Sequence, residues 1–207
     1  GWVGALTGQS SANLSISEIG VSFPDSSFGN ESRKGIPFTW LLRDILQFDQ
    51  SYEDSIKRIQ DAHRTCDLIL GVGDGDHATG RAFEYSYSVA KVFDDKNMEP
   101  LNKTWHPRMD NVVYYGMDWL CPGYSKVLHR QLAASWGRLT PEITIANVTA
   151  ITQTGDVHLA VYDLTDAQMY VSFMRGTNGT GPEMAYDRQF TRLDLNELWA
   201  VQPPPAL

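Results

Sequence analysis

The chain has 207 residues, of which 42% are hydrophobic and 20% are charged, and its formal net charge is −8 at pH 7. This length and balance are typical of a single globular domain with a sizeable core, so we predict one domain over residues 1–207. An acidic surface repels phosphate backbones, which argues against nucleic acid as a partner. No apolar run approaches the roughly 20 residues that cross a bilayer, so we expect no transmembrane segment.

The sequence begins at Gly1, without a methionine or a signal peptide. We interpret this as a processed or truncated chain, the C-terminal portion of a longer precursor whose upstream part is missing. A boundary chosen for expression is the alternative that the sequence leaves open.

The number of N-glycosylation sequons predicts that the protein passes through the secretory pathway. Five of the eight begin an N-x-Ser/Thr sequon, namely Asn13, Asn30, Asn102, Asn147 and Asn178. Ser and Thr make up 29 of the 207 residues, so chance predicts about one sequon. We therefore expect glycans at these sites and a secreted or lysosomal protein.

The first half of the chain predicts a hairpin and two helices. Trp2–Gly8 and Ala12–Ser22 indicate paired strands, although the alternation breaks near Ile19, which a bulge would explain. Apolar residues at helical spacing follow Pro37 and predict an amphipathic helix over Ile36–Leu46. Ser51, followed by Asp54, resembles a capping box and predicts the start of a second helix.

Further along, strands alternate with turns and two helices. We predict a strand at Cys66–Gly71, a glycine-rich turn at Gly71–Gly80, one or two strands within Arg81–Phe93 and a strand at Asn111–Tyr115. A helix over Tyr124–Trp136, a short helix after Thr140 and a hairpin of Val157–Tyr162 with Met169–Met174 complete the pattern. Strands in antiparallel pairs and helices in separate blocks predict an α+β fold.

Motif scanning favours no particular chemistry. Gly71–His77 resembles a phosphate loop, but a strand-like segment follows it where a phosphate site needs a helix N-terminus. A hairpin turn with solvated acids is the preferred interpretation, and a role at an active-site rim stays open. We find no nucleophile elbow and no metal-ligand motif. Cys66 and Cys121 are interpreted as structural, either free or bonded to the missing segment.

Several segments, in the same order along the chain, resemble one hydrolase family. They are Trp2–Gly8, Leu14–Glu18, Leu42–Leu46, Ser51–Asp54, Ile69–Gly71, Tyr115–Trp119 and Asp156–Arg175. They resemble the part after the nucleophile in the N-terminal-nucleophile (Ntn) hydrolases of the acid ceramidase, N-acylethanolamine acid amidase and penicillin acyltransferase type.

The resemblance implies an αββα sandwich of two antiparallel sheets between helix layers, incomplete without an upstream segment. It also implies autocleavage that exposes an N-terminal cysteine, whose amine acts as base while its thiol attacks an amide carbonyl. The substrates would be N-acyl amides, such as ceramides or N-acylethanolamines, and no metal or organic cofactor would be needed. Since the family's nucleophile lies upstream of the strands with which this chain begins, the partner implied is a segment of the same precursor.

The same resemblance points to catalytic candidates at Glu18, Gly73, Asp74 and Asp118, with Trp119 in contact with the substrate. Asp74 falls near the family's oxyanion asparagine, and an ionised carboxylate accepts hydrogen bonds without donating them. A catalytically inactive secreted glycoprotein that keeps the fold for structural, adhesive or binding roles is therefore the alternative. An N-terminal cysteine upstream would favour the enzyme, and an uncleaved bond there would favour the binding protein.

Overall fold

The computed structural model describes residues 3–20, 30–98, 102–115, 123–176 and 179–202. The chain divides into two compact units, Gly1–Ala133 and Ala134–Leu207, and each contains one antiparallel sheet. That residues 1–207 form one domain stays a prediction. None of the described helices is long and apolar enough to cross a membrane.

The first unit is built on a five-stranded sheet in which each strand pairs antiparallel with the next in the chain. The strands are β1 (Gly8–Gln9), β2 (Leu14–Gly20), β3 (Leu68–Asp74), β4 (Thr79–Tyr85) and β5 (Ala90–Phe93). One or two strands were predicted within Arg81–Phe93, and the structure has two, β4 and β5. Residues of the main core alternate along the strands, as Leu68, Leu70 and Val72 do in β3, so they lie on one face of the sheet.

Two helices between β2 and β3 cover that face. Helix α1 spans Phe38–Phe48 and helix α2 spans Tyr52–Asp61. As predicted, the Ser51 side chain caps α2 by accepting a hydrogen bond from the Asp54 N–H at 3.2 Å. The core shared by the helices and the sheet consists of fully buried apolar residues, including Leu14, Ile16, Leu42, Ile45, Ile59, Leu70 and Phe83.

The first hairpin differs from the prediction. A strand over Trp2–Gly8 is wrong for the described residues, because regular pairing begins only at Gly8. Gly4 instead lies against α1, where a Cβ would come within 2.5 Å of the Thr39 side chain. The bulge is also wrong, since β2 pairs with β3 without interruption from Leu14 to Gly20.

The predicted glycine-rich turn is shorter than expected. Strand β3 continues through Gly71, Val72 and Gly73, and β4 already begins at Thr79. Strand β3 continues this far because the Val72 side chain packs in the core, where it is 2% exposed. Gly71 lies so close to β2 that a Cβ would meet the Ser17 hydroxyl at 2.5 Å. The glycines in this segment therefore reflect close packing between strands and not a loop.

The strand predicted at Asn111–Tyr115 is wrong. Within residues 102–115, the described backbone pairs only through isolated bridges, Asn102 with His106 and Met109 with Val112. Aromatic packing replaces the ladder there, because the His106 and Tyr114 rings lie 4.6 Å apart and both side chains are buried. Helix α3 (Tyr124–Ser135) follows close to its predicted position.

The second unit has a helical segment and a three-stranded sheet. The helical segment runs from α4 (Pro141–Ile143) through a π-helical stretch (Thr144–Thr149) to α5 (Ala150–Thr152). The sheet has the order β6 (His158–Asp163), β7 (Gln168–Phe173), β8 (Thr191–Asp194), and α6 (Leu195–Ala200) follows. The predicted hairpin is confirmed as β6 and β7, whereas β8 and α6 were not foreseen.

Candidate functional site

Two turns meet at one end of the five-stranded sheet. The turn between β1 and β2 contains Asn13, and the turn between β3 and β4 runs from Gly75 to Ala78. The Gly75 N–H donates to the Asn13 carbonyl oxygen at 2.9 Å. A Cβ on Gly75 would fall 2.3 Å from Nδ2 of Asn13, so a larger residue there would have to displace the Asn13 amide. Asn13 itself adopts a left-handed conformation with φ of 54°.

The Asp74 carboxylate organises the second turn. Its Oδ1 accepts the backbone N–H groups of Asp76 and His77 at 2.9 and 3.1 Å. Its Oδ2 lies 2.7 Å from Nδ1 of His77. This contact raises the pKa of the exposed His77 imidazole. Because Asp74 is buried and both of its oxygens accept, the side chain holds the turn in place.

A chain of side-chain hydrogen bonds joins the two turns. The Asn13 Nδ2 donates to Oδ1 of Asp76 at 3.0 Å, and the Gln9 Nε2 donates to Oδ1 of Asn13 at 3.3 Å. Asp76 and Asn13 are 63 positions apart in sequence, so only the tertiary fold brings them together. We call Gln9, Asn13, Asp74, Asp76 and His77 the turn cluster.

The predicted site residues do not all converge. Asp74, at the end of β3, belongs to the turn cluster, and Gly73 directly precedes it. Glu18 pairs with Leu70, four residues from the Leu14–Asp74 pair, which separates it from Asp74 by about 13 Å along the strand. Burial raises the pKa of the Glu18 carboxyl. Asp118 and Trp119 lie outside the described residues.

Sequence reasoning missed two features near these candidates. Gln9 was not singled out, Asn13 was noted only as a sequon, and Asp76 was interpreted as a solvated acid of the turn. The Tyr115 hydroxyl donates to Oε1 of the buried Glu84 at 2.6 Å, which anchors the chain to β4 just before residues 116–122. At both places, the sequence offered one signal for such a contact, a polar residue near the end of an apolar strand segment.

The glycosylation sites differ in their surroundings. Asn30 and Asn147 are exposed, whereas Asn13 and Asn102 are partly buried. The Asn13 amide is engaged in the turn cluster, and Ser15 of the same sequon is buried in β2. Asn178 lies outside the described residues, as does Cys121, and Cys66 carries a free thiol. Glycosylation at the five sites stays a prediction.

Over the described ranges, no group of three or more His, Cys, Asp or Glu side chains is arranged to hold a metal ion. The turn cluster presents carboxylates and amides, and its positive charge comes from His77 when that ring is protonated. The site can therefore bind hydrogen-bond donors and cations more readily than anions.

Comparison with known proteins gives both sequence relatives and fold neighbours. No protein-family model matches the sequence. The chain is 36% identical to protein dcd1A of Dictyostelium discoideum over 209 residues, which is 96% of this chain and 46% of that protein. It is 34% identical to protein dcd1B of the same organism over 214 residues, 98% of this chain and 42% of that protein. The chain thus spans less than half the length of these curated relatives.

The solved structures establish the fold. A mutant of the conjugated bile acid hydrolase from Clostridium perfringens superposes with a TM-score of 0.58 at 12% identity, over 94% of this chain and 73% of that one. A second variant of that enzyme gives a TM-score of 0.54 at 11% identity, over 94% of this chain and 74% of that one. Both have the Ntn-hydrolase fold. The predicted α+β fold with two antiparallel sheets is thereby confirmed, and this chain has the fold of the Ntn hydrolases.

Proposed function

We propose that these residues are part of an amidohydrolase that cleaves N-acyl amides, with the nucleophile on another segment. The observation that supports this is the fold, which matches a conjugated bile acid hydrolase over 94% of the chain. The resemblance to the acid ceramidase group narrows the proposed substrates to lipid amides, and the sequons support a secreted or lysosomal setting.

In this proposal, an N-terminal cysteine on that other segment attacks the amide carbonyl carbon. Its α-amine takes up the thiol proton and returns it to the leaving amine, and water then hydrolyses the thioester to release the fatty acid. Asp74 positions the turn beside Gly73, because its oxygens already accept from Asp76 and His77. The donors that stabilise the oxyanion must therefore come from other groups.

Glu18 lies apart from this turn. By alternation along β2, its carboxyl belongs to the face of the sheet that the helices cover, where burial raises its pKa.

The test uses the intact protein as isolated from cells. We expect hydrolysis of N-palmitoylethanolamine or of a ceramide, and sequencing of every chain should find an N-terminal cysteine outside these 207 residues. Asp74→Ala should lower kcat/KM at least about tenfold through loss of the turn, whereas the matched control Asp166→Ala, at an exposed turn, should not. A fully processed protein that hydrolyses neither amide would contradict the proposal.

A catalytically inactive binding protein is the second candidate. The observation that favours it is the acceptor-only Asp74 at the position where the resemblance expects an oxyanion donor. This candidate predicts that the protein carries no N-terminal cysteine and still binds the amides.

A further inference from the structure

The chain contains two pairs of adjacent basic residues, and they lie in different surroundings. Arg33-Lys34 and Lys57-Arg58 are the only places in the sequence where two of its 17 Lys and Arg residues are neighbours. The first pair lies in the segment before α1, and the second lies within α2. Because both pairs combine one lysine with one arginine, the structure around each pair decides what can act on it.

The Arg33-Lys34 pair is open to solvent. Arg33, Lys34 and the following Gly35 are exposed and belong to no helix or strand. Within the described ranges, neither cationic side chain forms an ion pair. The Lys34 backbone bonds to the Ser32 hydroxyl, which accepts from the N–H and donates to the carbonyl oxygen of Lys34, each at 3.0 Å. The peptide bond after Lys34 therefore belongs to a small local turn at the surface.

Two backbone hydrogen bonds hold the ends of this turn. The Ser32 N–H donates to the Thr65 carbonyl oxygen, and the Ile36 N–H donates to the His63 carbonyl oxygen, both at 2.8 Å. Residues 33–35 lie between these two bonds, so the turn can open locally while the sheet and the helices stay folded. Exposed turns of this kind are the preferred sites of proteolytic cleavage.

The Lys57-Arg58 pair is protected by its helix and by a buried partner. Arg58 donates through Nε to Oδ1 of Asp49 at 2.8 Å, and Asp49 is only 3% exposed. Cleavage after Arg58 would require α2 to unfold, which would remove the fully buried Ile59 from the core and separate Asp49 from its cation. This second pair is therefore an internal control with the same two kinds of side chain.

We propose that Arg33-Lys34 is a processing site, at which an endoprotease specific for paired basic residues hydrolyses the peptide bond between Lys34 and Gly35. The acidic subsites of such a protease can pair with both exposed cations. The step consumes one water molecule and leaves a carboxylate on Lys34 and an amine on Gly35. It goes beyond the proposed function and uses only the secretory setting that the sequons support.

The cut should leave the first unit assembled. The piece that ends at Lys34 includes β2, which pairs with β3 along its whole length. Leu14 and Ile16 of β2 are 1% and 0% exposed, so burial in the shared core holds this piece in place. The product is a molecule of two non-covalently joined chains, and the second chain begins at Gly35, three residues before α1.

The first test uses the intact protein as isolated from cells. N-terminal sequencing of every chain should find one that begins at Gly35 and none that begins at Ile59. Size-exclusion chromatography without denaturant should show the two pieces eluting together. Absence of a chain that begins at Gly35, or separation of the pieces, would overturn the inference. Further chains that begin after other exposed basic residues, such as Arg138, would indicate nonspecific nicking and would also overturn it.

A purified serine endoprotease specific for paired basic residues tests access directly. The substrate is uncut protein from cells in which this protease class is inhibited, treated with a glycosidase so that no glycan on Asn30 shields the turn. Cleavage should occur after Lys34 alone. Lys34→Gln should lower the rate at least about tenfold, because one of the two cations is lost. The matched control Lys57→Gln, at the exposed lysine of the protected pair, should keep the wild-type rate. Similar rates after Lys34 and Arg58 would contradict the proposal.

Amidase activity measured on the isolated protein distinguishes the two proposals. An active protein in which the bond between Lys34 and Gly35 is intact would overturn the processing site and leave the proposed function standing. A protein that is cut before Gly35 and hydrolyses no amide would support the processing site and contradict the proposed function.

Discussion

The two units differ in how they bury their sheets. In the first unit, two amphipathic helices cover one sheet face, and residues such as Leu42, Ile45 and Phe83 are completely buried. In the second unit, the strand residues are mostly half-buried, and large apolar side chains such as Val157 and Phe173 are more than half exposed. Burial of apolar surface is the main stabilising contribution in folding, so the first unit should be the more stable scaffold.

This difference bears on the candidate site. Among the described residues, the turn cluster contains a left-handed asparagine, a buried carboxylate and one buried oxygen without a hydrogen-bond partner, Oε1 of Gln9, and each carries a free-energy cost. A well-packed core such as that of the first unit can offset this cost. The predictions below test that comparison, from the largest expected effect to the smallest.

Removing a large side chain from the first unit's core should have the greatest effect. Phe83 is fully buried in β4, and Phe83→Ala should lower the free energy of unfolding by about 4 kcal/mol through lost burial and a cavity. Phe48→Ala is the matched control, because that ring is 57% exposed at the end of α1. Urea denaturation of the intact protein measures both, and equal losses would contradict the assigned core.

Among the buried polar residues of the first unit, Arg64 should contribute most to the free energy of unfolding. Its guanidinium donates to the carbonyl oxygens of Ser86 and Gln60, both at 2.7 Å, and thereby joins the end of α2 to the turn after β4. Arg64→Met should cost about 2 kcal/mol because buried carbonyls lose a charged donor. The control Arg138→Met, at an exposed site, should cost less than about 0.5 kcal/mol; a similar loss at both sites would refute the role.

A pair of identical substitutions compares the two sheets directly. Val72 is 2% exposed in β3 and Val161 is 8% exposed in β6. We expect Val72→Ala to destabilise by about 2 kcal/mol and Val161→Ala by about 1 kcal/mol, since the first sheet packs under two helices. Hydrogen exchange should report the loss within each unit. A larger loss at Val161 would reverse the comparison.

The smallest effect should depend on pH. The Asp74 carboxylate raises the pKa of His77 above its value of 6.5 in an unfolded chain. The contribution to stability is therefore fully present below that unfolded pKa and is lost as pH rises through the folded pKa. The Tm difference between wild type and His77→Ala should shrink from mildly acidic to alkaline pH. His63→Ala, at an exposed site, is the control, and a difference that grows with pH would contradict the contact.

Local signals in the sequence were sufficient for several elements. Ser51 and Thr140 each accept a hydrogen bond from an N–H three residues later, so the starts of α2 and α4 depend on neighbouring residues alone. The hairpin of β6 and β7 and the α+β class followed from apolar alternation in the same way. The resemblance supplied the Ntn-hydrolase fold, which composition and periodicity could not specify.

Tertiary structure decided the rest. Gly71–Gly73 are strand residues because Val72 fits the core, and no local pattern records that fit. Asn111–Tyr115 have strand-like sequence but no neighbouring strand to complete a ladder in the described region. The turn cluster needs Asn13 and Asp76 in contact although 63 positions separate them. Short-range preferences are encoded next to each residue, whereas a hydrogen-bond network between two turns exists only once distant segments have met.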